Sequence, residues 1–134
     1  MTRLRFLGLT ASILFLLPGC FVGSSRQAIY ETCSRDRDCT LDADLCAGVT
    51  VEYSNSTIRD AICTVDCRDD ADCPYSYNGE PGGCYSQDIG RDDTSGPPIC
   101  FERCFDDRDC LEGFRCLDST QLLIDRGDSI CVPG

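Results

Sequence analysis

Three times the chain sets a pair of carboxylates between two thiols with the same spacing. The stretches are Cys33-Ser34-Arg35-Asp36-Arg37-Asp38-Cys39, Cys67-Arg68-Asp69-Asp70-Ala71-Asp72-Cys73 and Cys104-Phe105-Asp106-Asp107-Arg108-Asp109-Cys110, each a C-x-x-D-x-D-C. Two chemistries are open to such a pattern. The Asp pairs (Asp36 and Asp38, Asp70 and Asp72, Asp107 and Asp109) could offer oxygens to calcium, a hard cation that gathers several carboxylates. Alternatively, the same side chains accept backbone N–H bonds and fix the tight turn that leads into the second Cys. The second reading is the expectation, so no metal and no cofactor is assigned.

The thiols admit more than one use as well. Cys63 with Cys67, and Cys100 with Cys104, are close enough in sequence to enter a four-thiolate zinc site. Eight further Cys in an oxidising compartment argue for bridges instead. No C-x-x-C is present, which removes the usual redox-active pair.

Beyond the leader, the cysteines fall into three sets of four: Cys33, Cys39, Cys46, Cys63; Cys67, Cys73, Cys84, Cys100; and Cys104, Cys110, Cys116, Cys131. Each set closes on Ile-Cys, at Ile62-Cys63, Ile99-Cys100 and Ile130-Cys131. Three repeats are expected, 33–63, 67–100 and 104–131, within a cysteine-rich domain 33–134. Four Cys admit three pairings, and spacing alone selects none of them.

The composition fits a stapled chain. With 13 Cys, 12 Gly and 6 Pro but no Trp and one Met among 134 residues, there is little to fill a large apolar interior, and disulfides must supply much of the stability. The chain has 23 acidic residues against 12 basic ones. Two of the basic residues, Arg3 and Arg5, precede every acidic residue. Such a surface repels phosphate backbones, which excludes nucleic acid as a partner. No His is present and no Lys occurs, so a His base, a Lys Schiff base and a phosphate-cradling Lys are excluded. Carboxylate-pair catalysis survives on composition, but it needs a cleft that units of about 30 residues rarely enclose. No catalytic residue is assigned, and the chain is not expected to be an enzyme.

At the front, Met1 to Arg5 is basic, Phe6 to Leu17 is a continuous apolar run, and Leu17-Pro18-Gly19-Cys20 follows. This is the layout of a secretory signal, too short to span a bilayer comfortably. Leu17, Gly19 and Cys20 resemble the bacterial lipobox, with Pro18 an uncommon residue at the intervening position. The resemblance implies removal of residues 1–19 and a diacylglyceryl group on Cys20. Phe21 then stands where enteric lipoproteins kept at the inner membrane carry Asp, so the expected location is the cell envelope, at the outer membrane. Parity agrees: thirteen Cys is one for the lipid and twelve for pairing. The alternative is an ordinary signal cleaved near Gly19 or Gly23. Residues 20–32 read as the lipidated Cys and a flexible tether reaching at most ~40 Å.

Between the third and fourth Cys of each set lie hairpin features. Val49, Val51 and Tyr53 alternate before Ser54-Asn55-Ser56, and Ile58 to Ile62 can return. The second set detours through Asn78 to Gly83, and Arg91 to Pro98 forms a polar turn region. The third has Leu122, Leu123 and Ile124, a turn at Asp125-Arg126-Gly127-Asp128, and Ile130. The fold class is therefore small and disulfide-rich, three tandem four-Cys units with short β-hairpins, long loops and little regular structure.

The Cys spacing resembles the EGF-like core. That resemblance implies pairing first to third and second to fourth: Cys33 with Cys46, Cys39 with Cys63, Cys67 with Cys84, Cys73 with Cys100, Cys104 with Cys116, and Cys110 with Cys131. The openings and the Ile-Cys closures also resemble cysteine-rich repeats of exported proteins from predatory and soil bacteria, and more loosely the amino-terminal cysteine-rich region of Dickkopf proteins. These likenesses imply an extracellular disulfide module and carry no active site. Arg126-Gly127-Asp128 resembles the integrin-recognition tripeptide, although three residues also arise by composition. The expected role is a structural or protein-interaction module, with the membrane as partner through Cys20 and an unidentified protein as a further one. The alternative is a secreted inhibitor or toxin-like effector.

Overall fold

Alternating apolar residues and a two-residue turn give the longest hairpin in the computed structural model, which describes residues 28–40, 42–76, 79–90, 95–122 and 127–134. Strand β1, Leu45–Tyr53, turns through Ser54 and Asn55 into β2, Ser56–Thr64, in unbroken antiparallel register from Leu45↔Thr64 to Tyr53↔Ser56. Ala47, Val49 and Val51 face inward because side chains in a strand alternate faces. Strands β3, Gly82–Ile89, and β4, Ser95–Glu102, form a second antiparallel pair. Strands β5, Phe114–Leu117, and β6, Ile130–Pro133, form a third.

The first two hairpins join into one sheet of order β2-β1-β3-β4 through a short parallel contact, Thr50↔Asp88 and Val51↔Ile89, and β5-β6 forms a separate two-stranded sheet. A single apolar cluster spans all three pairs: Val49, Val51 and Ile62 from the first, Ile89, Ile99 and Phe101 from the second, Leu117, Ile130 and Val132 from the third. The chain is small and disulfide-rich, as expected, and the expectation of little regular structure holds only in part: helix is scarce, while strands are not. Two strands of nine residues and two of eight carry a common core, because each hairpin contributes only one apolar face and must share it to exclude water.

Three local expectations change as well. Of the stretch expected as a polar turn, Arg91 to Pro98, residues 91–94 lie outside the described residues, and Ser95 to Pro98 lie within β4. β4 is an edge strand and its register against β3 shifts between Ser86 and Asp88, opposite Pro97; an edge and a bulge are the places where a strand admits proline. Leu122 is buried in a one-turn helix, α1, Ser119–Leu122, and the strand opposite Ile130 is β5. Asp118 caps that turn: its carboxylate accepts from the Thr120 and Gln121 N–H groups, and the Gln121 side chain accepts from the Asp118 N–H. Third, residues 28–32 are not tether. Tyr30, 1% exposed, sends its N–H to the Cys63 carbonyl, Cys63 returns one to Glu31, and Thr32 bridges Ile62. The leader, Cys20 and the tether up to residue 27 lie outside the described residues, as do Asn78, Leu123, Ile124, Asp125 and Arg126.

Candidate interaction site

Six disulfides consume the twelve cysteines from Cys33 to Cys131: Cys33–Cys46, Cys39–Cys63, Cys67–Cys84, Cys73–Cys100, Cys104–Cys116 and Cys110–Cys131. In each set the two bridges lie side by side, which is why sulfurs such as those of Cys67, Cys73 and Cys100 come within 4.8 Å of one another. A bridged sulfur is not a thiolate, so the zinc alternative has no ligands here. This density of disulfides belongs to an oxidising, extracytoplasmic environment. Among the described residues no helix is long and apolar enough to cross a membrane.

The carboxylates between the thiols are tied to backbone. Asp36, Asp70 and Asp107 each accept, through Oδ1, the N–H of the third Cys of their set: Cys46 at 2.9 Å, Cys84 at 2.9 Å and Cys116 at 2.8 Å. Asp38, Asp72 and Asp109 each accept, through Oδ2, the N–H of the residue after the first Cys: Ser34 at 3.3 Å, Arg68 at 2.8 Å and Phe105 at 2.7 Å. The two acids thus hold the two ends of the first bridge, and a short side chain with two acceptor oxygens is what the geometry asks for. The Ile of each closing Ile-Cys is buried and forms an isolated bridge with the residue before the first Cys: Thr32↔Ile62, Asp66↔Ile99 and Arg103↔Ile130.

One of those bridging residues, Arg103, is the centre of a polar group that the sequence does not announce. Its Nη2 lies 2.5 Å from Asp70 Oδ2 and 3.3 Å from Asp128 Oδ2, and its Nε donates to the Tyr85 hydroxyl at 3.3 Å. The Tyr85 hydroxyl donates to Asp128 Oδ2 at 2.7 Å. Burial pushes the Tyr85 hydroxyl up to about 12, against the opposing pull of Arg103. Asp128, the last residue of the Arg-Gly-Asp stretch, is therefore engaged within the molecule, while Arg126 lies outside the described residues.

Beside this group opens a cavity of about 290 Å³, lined among others by Glu80, Pro81, Arg103, Phe105, Asp128 and Ser129. Phe105 stands at its rim, 90% exposed. Its backbone is held all the same, by the Asp109 carboxylate and by the Cys104–Cys116 bridge next to it.

Glu102, at the end of β4 and opposite Gly82, is 1% exposed, and neither carboxylate oxygen has a hydrogen-bond partner of good geometry. Burial pushes its carboxyl up, the nearby Ser76 hydroxyl offsets part of the rise, and Glu80 and Asp109 add to it. Burial works against the charged form because a carboxylate taken out of water regains little of its solvation here.

Compared with protein-family models, curated proteins and solved structures, the chain matches none of them.

Proposed function

We propose that the chain is an exported lipoprotein that holds a disulfide-stapled module at the cell envelope, acting as a structural or protein-interaction element and not as an enzyme. Cys20 carries the acyl chains after residues 1–19 are removed, residues 20–27 are the tether, and the module faces away from the cytoplasm at the outer membrane. Its twelve other Cys serve three tandem units, 33–63, 67–100 and 104–131. One observation carries the reading: six bridges account for every cysteine from Cys33 onward, which leaves Cys20 of the lipobox-like sequence outside the bridging set.

Support for the tandem units comes from the recurrence, set by set, of the Asp-to-Cys bond and of the bridge to the closing Ile. Support for an interaction role comes from Phe105 on the rim of a charged cavity. The acidic surface turns nucleic acid away and favours a protein partner.

Intact mass of the protein extracted from membranes of its own host, before and after reduction, tests the reading. The expected mass lacks residues 1–19, includes a lipid, and rises by twelve hydrogens on reduction. Retention of Met1 or alkylation of the unreduced sample at Cys33 or beyond would sink it.

A further inference from the structure

The cavity beside Arg103 has a sign as well as a shape. Arg103 is its cationic wall, yet that guanidinium faces two carboxylates, Asp70 and Asp128, so the group as a whole carries excess negative charge. Glu80 adds another carboxylate to the lining. The cavity is therefore unsuited to a phosphate or a carboxylate ligand and suited to a cation. Its volume, about 290 Å³, is at or below the low end of the range typical of pockets that enclose a whole small molecule, and fits a single side chain.

The rim then selects among cations. The exposed ring of Phe105 offers a flat face, on which a guanidinium stacks while it also presents a planar fork to a carboxylate such as Glu80. A lysine ammonium, compact and strongly hydrated, uses neither feature as well. The backbone under the ring is already held before any partner arrives: Phe105 follows the Cys104–Cys116 bridge and its N–H is fixed on Asp109. What remains to be ordered on binding is side-chain rotation and not backbone.

We infer that this cavity receives an arginine side chain from a basic segment of a partner protein, with Phe105 stacked on the guanidinium and Glu80 paired with it. The inference rests on the proposed role as an interaction module and names the surface and the chemistry of the partner. The chain's acidic excess, 23 carboxylates against 12 Arg, draws such a segment in at long range, and Phe105 and Glu80 give it one place to dock.

The test is a titration of the oxidised full chain, as isolated from its host, with the peptide acetyl-Gly-Arg-Gly-amide, followed by amide chemical shifts. Saturable shifts at Phe105, Ser129 and Glu80 are expected, with a dissociation constant on the order of millimolar for so small a probe. Phe105→Ala and Glu80→Gln should each weaken binding about threefold, and replacing Arg by the neutral isostere citrulline should abolish it. Three results would overturn the inference: no saturation, equal binding of the citrulline peptide, or affinities unmoved by both substitutions. Neither substitution threatens the fold, since Phe105 is exposed and Gln keeps the shape of Glu80. The intact mass of the same sample reports lipid and bridges, so a failed docking site is distinguishable from a failed envelope-module reading.

Discussion

The Tyr85 hydroxyl on β3 reaches Asp128, 43 residues further along the chain, at 2.7 Å, and so ties the four-stranded sheet to the segment that enters the last strand. Arg103 completes the link by touching both of them and Asp70. Removing the guanidinium leaves two carboxylates facing each other. Because all three charged side chains keep between a quarter and two fifths of their surface in water, the loss is modest: Arg103→Ala should cost about 1 kcal/mol. The measurement is a denaturant midpoint at low salt and again at high salt. A loss that does not shrink with salt would argue against charge as its origin.

Glu102 makes the opposite prediction. Its folded carboxyl is raised above its ordinary value of 4.5, so between the two values the folded state binds more protons than the unfolded one. Stability is then fully present below about pH 4.5 and is lost as pH rises through the folded value. Glu102→Gln should stabilise the protein at neutral pH and flatten this slope. Asp106, held down to about 2 mainly by the Arg108 side chain, acts in the reverse sense and weakens the fold only as pH falls toward that value. Denaturant midpoints for both chains between pH 4 and 8 decide the matter, and an equal slope in the Gln variant would refute the assignment.

The bonds from Asp to the third Cys are open to direct test at Asp107. Asp107→Ala removes the acceptor for the Cys116 N–H and should cost about 1 kcal/mol, while amide exchange at Cys116 speeds up. Asp107→Asn keeps an acceptor oxygen and should restore most of the protection. If Asn and Ala behave alike, the carboxylate acts by charge and not as an acceptor for this bond.

Two bridges differ in the length of chain they close: Cys104–Cys116 spans 12 residues and Cys73–Cys100 spans 27. Loop-closure entropy makes replacing the longer pair by Ala costlier by about 0.7 kcal/mol, on a base of about 3 kcal/mol for either. Paired calorimetric scans would measure it. A larger cost for the shorter bridge would place its effect in native packing instead.

Gly82 marks a close approach that the sequence shows only as one glycine among twelve. A Cβ there would meet the Tyr30 hydroxyl, Cys73 Cβ at 2.7 Å and the Pro74 carbonyl at 2.8 Å. Gly82→Ala should therefore destabilise by about 1–3 kcal/mol through overcrowding, readable as a lowered thermal midpoint. An unchanged midpoint would mean that residues 28–32 around Tyr30 yield freely.

What was legible in the sequence was local. The alternation of Val49, Val51 and Tyr53 gave the first hairpin, because a strand with one buried face writes its period into neighbouring residues. The paired Asp were readable as turn-fixing acceptors, since short carboxylates next to a tight turn have few other uses. The turn at α1 has a local signature too, Asp118 followed three residues later by Gln121, which the apolar run from Leu122 to Ile124 masks by looking like a strand. The remainder had no local trace. The parallel contact of Val51 with Ile89 and the cluster around Arg103 join residues tens of positions apart, and no periodicity encodes that.

Tyr30 has its N–H on Cys63, its hydroxyl on the Pro74 carbonyl, and its ring almost wholly out of water. A pull on the chain ahead of Ala28 is consequently not absorbed by a fraying end. It falls on the hydrogen bonds that join Tyr30 to Cys63 on one side and to Pro74 on the other. Such a load meets the two hydrogen bonds of Tyr30 and the packing of its ring first, and both acceptors are anchored, because Cys63 is itself bridged and Pro74 follows the bridged Cys73.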